Sequence, residues 1–261
     1  MRRRILSILL AFGAPALLRG ETLLIAAGGF VGAWDTEIEM ANVLADPVDV
    51  TLSITGIPSG LPCPPNCTSQ TLTVPGHGMQ RVLASAFLGS VYAGPQMIRV
   101  DTPAGVAAPS VHARSINAVS ETQFAELPVV RLATIEGLDT SVLVFPGVTR
   151  QSGVYSNLIL EGIGGSFSGG STVMVELFDA SGQSLGSQTF AITGEATFQA
   201  TTIVDIVARI VGTNSPPGTD LPILEDGQIR VTRLTGTGSL WGVLTNVLGS
   251  GALKVKLGAN P

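Results

Sequence analysis

Hydrophobic and polar residues alternate along much of this chain with the period of two that is typical of β-strands. The alternation is clearest between residues 34 and 40. One side of this segment carries Trp34, Thr36, Ile38 and Met40, and the other carries Asp35, Glu37 and Glu39. A strand of this pattern places one side in a core and the other in water, so we expect the three acidic side chains to be exposed.

Short runs of β-branched and apolar residues recur along the chain, with Gly, Pro, Asn and Asp between them. The runs that we predict as strands in the first half are Leu23–Ala27, Trp34–Val43, Val48–Thr55, Thr71–Val74, Met97–Asp101 and Val106–Ile116. Short strands at this spacing are typical of a β-sandwich.

The order of these runs occurs twice. The echoes pair Leu23–Gly29 with Val142–Val148, Trp34–Ile38 with Tyr155–Ile159, Val48–Ile54 with Thr172–Phe178, Gln80–Gly89 with Thr202–Gly212, and Met97–Val100 with Gln228–Val231. The offset grows from 119 to 131 positions, which indicates unequal loops in two related units. We therefore predict an all-β protein of two tandem antiparallel β-sandwich domains related by internal duplication, each with one short helix at the fourth echo.

The amino terminus has the pattern of a secretory signal peptide. Arg2, Arg3 and Arg4 precede the apolar run from Ile5 to Leu18, which is too short to span a bilayer as a helix. No later run is long and apolar enough for a membrane anchor, so we expect no membrane span. The predicted location is secreted, periplasmic or at the cell surface after cleavage of this segment.

The predicted division of the chain follows from the leader and the repeat. It is a signal peptide at 1–20, a first sandwich at 21–118, a linker at 119–140 and a second sandwich at 141–261. The linker contains Phe124, Leu127, Val129, Val130 and Leu132, which favour burial, so we expect it to pack against both sandwiches.

The composition is that of a folded protein with an acidic surface. Of the 261 residues, 45% are hydrophobic and 13% are charged, which excludes disorder. Four of the 14 basic residues and none of the 19 acidic ones lie in 1–20, so the rest of the chain has a formal charge of −9. Such a surface repels phosphate backbones, and we expect no nucleic-acid partner.

The two cysteines, Cys63 and Cys67, enclose Pro64, Pro65 and Asn66. In an exported protein this spacing favours a small disulfide that closes a loop tip. A free-thiol or metal pair is the alternative, although a zinc site needs two further ligands.

Candidate catalytic and metal-binding residues are few. Residues 182–186 fit the G-x-S-x-G pattern of a nucleophile elbow, but the segments around them are typical of a hairpin. His77 in a turn and His112 in a strand have no neighbouring nucleophile and carboxylate in sequence, so we interpret both as structural or surface residues. Asp220, Glu225 and Asp226 form a candidate Ca²⁺-binding loop, with a solvated acidic loop as the favoured alternative. We expect no cofactor, and we place Trp34 and Trp241 in the core.

Several motifs together resemble the tandem, immunoglobulin-like β-sandwich segments of secreted bacterial proteins. They are Trp34-x-Thr36-Glu37-Ile38-x-Met40-x-Asn42, Phe124-x-x-Leu127-Pro128, Ser156-Asn157-Leu158-x-Leu160 and Val175-x-Leu177-x-Asp179-x-x-Gly182-x-x-Leu185-Gly186. The resemblance spans about residues 22 to 257 and rests on turn and core residues. It implies the architecture, and it implies no activity and no catalytic residue, since such segments have no established activity of their own.

The sequence therefore favours an exported, non-enzymatic structural or binding module with an unknown protein or glycan partner. The alternative is a carbohydrate-binding protein or hydrolase that uses end loops, with Ca²⁺ as an optional ligand. Self-association through exposed strand edges is a third option.

Overall fold

The computed structural model describes residues 20–30, 34–55, 69–87, 94–117, 119–136, 141–163, 171–195, 198–214, 220–248 and 253–258. The predicted signal peptide, apart from Gly20, and the cysteine pair Cys63 and Cys67 lie outside these residues. In the described residues no helix is long and apolar enough to cross a membrane.

The protein is almost entirely β, as the sequence predicts. The strands of the first half are β1 (Thr22–Phe30), β2 (Trp34–Ala41), β3 (Val48–Thr55), β4 (Ser69–Val74), β5 (Met79–Leu83), β6 (Gly94–Asp101), β7 (Ser110–Asn117), β8 (Ser120–Leu127) and β9 (Val129–Arg131). The strands of the second half are β10 (Val142–Arg150), β11 (Tyr155–Ile163), β12 (Ser171–Phe178), β13 (Ser184–Glu195), β14 (Phe198–Ile203), β15 (Leu224–Thr235), β16 (Ser239–Val247) and β17 (Leu253–Leu257). The helices are α1 (Leu132–Glu136) and α2 (Ile206–Asn214), with a 3-10 turn at Ala84–Ala86.

The first half forms a sandwich of two antiparallel sheets. One sheet has the strand order β4-β3-β6-β1-β9, and the other has the order β5-β2-β7-β8. Their inner faces share one apolar core because alternate residues of each strand point inward. This core includes Ile38, Met40, Val50, Leu52, Ile98 and Val100.

The second half repeats this arrangement. Its strand order is β13-β12-β15-β10 on one side and β14-β11-β16-β17 on the other. Strand β13 is long enough to pair first with β12 and then with β14, so it joins the two layers. The core between them includes Phe145, Leu158, Leu160, Val175, Ile229 and Val231.

Each of the strands β1 to β8 thus has an equivalent in the second half. The equivalents are β10 to β17, in the same order. The 3-10 turn follows β5, and α2 follows β14 in the same place. The predicted short helix of the first unit is therefore only a three-residue turn, since residues 79–83 are strand. Strand β9 has no equivalent among the described residues.

The strand pairings correct the register of three predicted echoes by one residue. Leu24 lies opposite Arg99 and Val144 lies opposite Arg230, so β1 and β10 are related by 120 positions rather than 119. In the same way, Leu52 lies opposite Val100 and Val175 lies opposite Val231. Strands β3 and β12 are therefore related by 123 positions rather than 124.

The third correction concerns β2 and β11, and it rests on two equivalent hydrogen bonds. The backbone N–H of Ser85 donates to Asp35 Oδ1 at 3.1 Å, and that of Asp205 donates to Asn157 Oδ1 at 3.0 Å. Each bond ties the strand to the turn that begins the helical segment. The offset is therefore 122 rather than 121, and a shift of one residue reverses which face of the sheet each side chain occupies.

The predicted linker at 119–140 contains β8, β9 and α1, of which β8 and β9 belong to the sheets of the first sandwich. Leu127 and Leu132 are buried, but Phe124 is 54% exposed, contrary to expectation. Helix α1 takes part in the contact between the two sandwiches. That contact, the interdomain cluster, consists of Leu24, Ala26, Met97, Leu132, Ile135, Ile159, Trp241 and Val243.

Candidate functional site

The outer face of the sheet β5-β2-β7-β8 carries a group of paired charges, which we call the charge ladder. Its members are Glu37, Glu39, Arg81, His112, Arg114 and Glu126. They share this face because each alternates with an inward residue, as Arg81 does with Val82 and Arg114 does with Ala113.

The strand register places opposite charges directly across from each other. Glu39 lies between Arg81 on β5 and His112 on β7. Arg114 lies between Glu37 on β2 and Glu126 on β8. Pairs of opposite charge at such positions stabilise a sheet, whereas like charges there destabilise it.

Glu37 is the centre of the ladder and is fully buried, with 0% of the residue exposed. Arg114 contacts Glu37 Oε1 through Nε at 2.6 Å and through Nη2 at 2.5 Å. Arg81 pairs with Glu37 Oε2 from the other side. The guanidinium groups of two arginines thus neutralise a carboxylate that is shielded from solvent.

The burial of Glu37 and Asp35 contradicts the predicted exposure of the acidic side of β2. Asp35 accepts hydrogen bonds from Thr36 and Ser85, and Glu37 is covered by the two arginines. Only Glu39 is partly exposed, at 31% of its side chain. Trp34, predicted in the core, is half-buried, whereas Trp241 is buried as expected.

His112 lies between two carboxylates. Its Nε2 is 2.5 Å from Glu126 Oε2, and its Nδ1 is 3.8 Å from Glu39 Oε2. Because the carboxylates meet opposite ring nitrogens, the three groups do not converge on a single point. Across the described residues, no three or more His, Cys, Asp and Glu side chains form a group suited to a metal ion.

An aromatic side chain borders the ladder. The guanidinium carbon of Arg114 lies 5.9 Å from the centroid of the Phe124 ring, which is within the range of a cation–π interaction. The pairing of Phe124 with Ile116 across β7 and β8 sets this position. The ladder is therefore an exposed, amphipathic sheet face on which opposite charges lie next to each other.

The other candidate residues are spread over the molecule. His77 is exposed in the turn between β4 and β5, with a φ of 50°, and its N–H donates to Leu44 O at 2.8 Å. Asp220, Glu225 and Asp226 are exposed, and they do not form a group of metal ligands. The proposed Ca²⁺ loop stays a prediction.

The G-x-S-x-G segment lies in the hairpin between β12 and β13, as the flanking residues indicate. Asp179 Oδ1 accepts hydrogen bonds from the Ser181 hydroxyl at 2.7 Å and from the N–H groups of Gln183 and Ser181. These bonds, the Ser181 hydroxyl first, hold the pKa of Asp179 below its usual value. Ser184 is exposed at the first position of the returning strand.

Sequence reasoning missed the charge ladder, although one signal was available. Acidic residues at every second position of one strand and basic residues at every second position of another are the sequence pattern of cross-strand pairing. The strands β2 and β7 are about 75 residues apart in the chain, so only the topology identifies them as neighbours.

No family model matches this chain, and no curated protein matches it significantly. A structure of Broad Bean Stain Virus is 10% identical, with 100% of this chain and 96% of that chain covered and a TM-score of 0.23. A lectin from Pleurotus ostreatus in complex with GalNAc is 9% identical, with 94% and 83% covered and a TM-score of 0.22. These TM-scores are too low to support a shared fold or function, and the resemblance to secreted bacterial segments stays a prediction.

Proposed function

We propose that this protein is an exported, non-enzymatic structural or binding module of the cell surface or extracellular space. One observation carries the proposal: the charge ladder is an open sheet face whose ionic groups pair with one another. Catalytic and small-molecule sites are concave and direct several polar groups at one point. An open face of alternating charges suits contact with another macromolecular surface.

The packing between the sandwiches supports a structural role. Trp241 and Ile159 of the second sandwich pack against Leu24 and Met97 of the first in one apolar cluster. Helix α1 contributes Leu132 and Ile135 to the same cluster. A continuous apolar contact of this kind holds two domains in one orientation, which presents the ladder in a constant position.

The experiment that tests this function is a thermal-shift screen of the protein against Ca²⁺, EDTA and a panel of glycans, with chromogenic ester, peptide and glycoside substrates assayed in parallel. We expect an unchanged melting temperature and no turnover. A ligand that binds only the folded state raises the melting temperature by mass action, so a reproducible rise with one glycan or with Ca²⁺ would favour the carbohydrate-binding alternative. Turnover of any substrate would refute the proposal.

A matched variant locates any glycan that binds. Phe124→Ala removes the exposed ring beside the ladder, whereas Val119→Ala removes an exposed apolar side chain from the adjacent turn. A shift that is lost only in Phe124→Ala would place a sugar on this sheet face, because exposed aromatic rings stack on apolar ligand faces. A thermal shift that both variants retain would favour glycan binding at the end loops.

A further inference from the structure

The contact between the two sandwiches joins two different sheet faces. The docking face is the outer side of β1 and β6, with Leu24, Ala26 and Met97, and the receiving face is the outer side of β11 and β16, with Ile159, Trp241 and Val243. An interface between two different faces of related units is heterologous, so it leaves one unused face of each kind at the ends of the pair.

The unused receiving face is the charge ladder. With the corrected offset of 122, Glu37 is the equivalent of Ile159 and Glu39 is the equivalent of Glu161. Across the strands, Trp241 lies opposite Glu161, and His112 lies opposite Glu39. The first sandwich therefore has charged side chains where the second has the apolar side chains that bind its neighbour.

The unused docking face is the outer side of β10 and β15. Val144 and Arg230 lie opposite each other there, as Leu24 and Arg99 do in the first sandwich. Arg230 is exposed, and Glu176 of β12 lies across from it on the same face.

One charged position of each face is the same in both sandwiches. Arg99 is on the same side of β6 as Met97, where its Nε lies 2.6 Å from Asp101 Oδ2, and Glu161 is on the same side of β11 as Ile159. Their equivalents, Arg230 and Glu39, lie on the two faces that the molecule leaves open. An arginine on one open face and a glutamate on the other are complementary charges.

We propose that copies of this protein stack head to tail, with the β10-β15 face of one copy on the charge ladder of the next and Arg230 facing Glu39. This inference rests on the proposed function, since it names a second copy as the protein partner. The ladder has Glu37, His112 and Arg114 in place of an apolar centre, so the contact is weak, reversible and sensitive to salt. A heterologous contact that does not close into a ring gives open chains rather than dimers.

The test is sedimentation velocity of the full protein over a range of concentrations at low and high ionic strength. We expect the weight-average sedimentation coefficient to rise with concentration at low salt and to stay at the monomer value in about 0.5 M NaCl, where the Debye length is only a few ångströms. A protein that remains monomeric at the highest concentration in low salt would overturn the proposal.

Charge reversal identifies the faces. Arg230→Glu and Glu39→Arg should each weaken association by about tenfold or more, because like charges then face each other. An equimolar mixture of the two variants should associate again, since each variant presents a face that the other binds. The controls Arg209→Glu on α2 and Asp220→Arg in a loop reverse exposed charges away from both faces and should change nothing.

Two outcomes would reject the stack even if the protein associates: unchanged association in Arg230→Glu, or no recovery in the mixture. Arg230 is outside the ladder, so its variant remains informative if Glu39→Arg fails to fold, and Glu39→Gln then replaces the latter. A monomeric protein that shows no ligand-induced thermal shift and no turnover rejects only the stack. A ligand-specific shift or turnover rejects the proposed function itself.

Discussion

Glu37 illustrates how one carboxylate can be buried on a sheet face that a sequence pattern assigns to solvent. Arg81 and Arg114 approach its two oxygens from opposite sides. Removal of one partner of a buried ion pair is costly, whereas replacement of both partners by apolar residues of similar shape is often neutral. The second sandwich has this replacement already, with Ile159 opposite Val243.

This difference predicts the behaviour of variants at Glu37. Arg114→Val alone should destabilise the protein by about 3 kcal/mol, because the buried carboxylate loses one of its cations. The free energy of unfolding of the double variant Glu37→Ile/Arg114→Val should be within about 1 kcal/mol of that of the original protein. Urea unfolding at low protein concentration measures both, and a double variant as unstable as the single one would contradict the explanation.

The hydrogen bonds of Asp179 predict how the stability of the protein depends on pH. Its carboxylate accepts three hydrogen bonds in the β12–β13 turn, and its pKa in the folded protein is lowered. A lowered folded pKa adds stability that is fully present above the pKa of the unfolded chain and is lost as pH falls through the folded pKa. Asp179→Ala should therefore reduce the free energy of unfolding at neutral pH, and the difference from the original protein should shrink towards pH 2.

The measurement is urea unfolding at several pH values between 2 and 7. Ser181→Ala is the matched control because it removes the hydroxyl that lowers the pKa most while it retains the carboxylate. Its Asp179 pKa, followed by NMR titration, should move back towards the ordinary value. A difference between Asp179→Ala and the original protein that does not change with pH would show that the turn does not depend on the charge.

At the scale of elements, β1 and β10 have different neighbours at the same edge. Strand β1 pairs with β9, and the N–H of Ala26 donates to Pro128 O at 2.9 Å on that side. The equivalent of Ala26 in β10 is Pro146, which has no N–H to donate. Proline on an edge strand prevents further strand pairing, so this residue protects the edge of the second sandwich.

Pro146→Ala should restore a donor at this edge and thereby increase aggregation. We expect faster growth of light scattering at 37 °C, with an increase in β-sheet signal by infrared spectroscopy. Pro222→Ala replaces an exposed proline outside any strand and should not change the rate. Equal rates in all three proteins would mean that the β10 edge is not protected by Pro146.

The elements also show how far the repeat could be predicted. Val48–Thr55 is predicted with the bounds of β3, and the hairpin between β12 and β13 is predicted from the turn residues 179–182. The register of three echoes was wrong by one residue. Runs that are apolar at consecutive positions, such as Leu23–Ala26 and Val142–Phe145, match nearly as well after a shift of one residue. Only cross-strand partners, such as Arg99 for Leu24 and Arg230 for Val144, determine the alignment.

At the scale of the whole molecule, the interdomain cluster makes the sandwiches one unit. Trp241 is its largest side chain and packs with Leu24, Met97 and helix α1. We expect the original protein to unfold in a single calorimetric transition, since the loss of one sandwich exposes the apolar face of the other.

Trp241→Ala should separate the unfolding of the two sandwiches. We expect the free energy of unfolding to fall by about 3–5 kcal/mol, because the substitution leaves a large cavity between the sandwiches. We also expect two resolved calorimetric transitions. Trp34→Ala, at a half-buried position of the first sandwich, should lower the melting temperature without a second transition. A single transition in Trp241→Ala would show that other contacts couple the two halves.

Sequence reasoning missed the charge ladder for a reason that also applies to the whole fold. Alternation, turn residues and spacing are local, and they were sufficient for an all-β fold, for the bounds of several strands and for the repeated order of elements. Which strands lie side by side, and what covers each outer face, depend on contacts between distant residues. Glu37 is buried because Arg81 and Arg114 arrive from other strands, and Trp241 is buried because another sandwich covers it. Burial is a property of both partners in a contact, and the pattern of one strand describes only one of them.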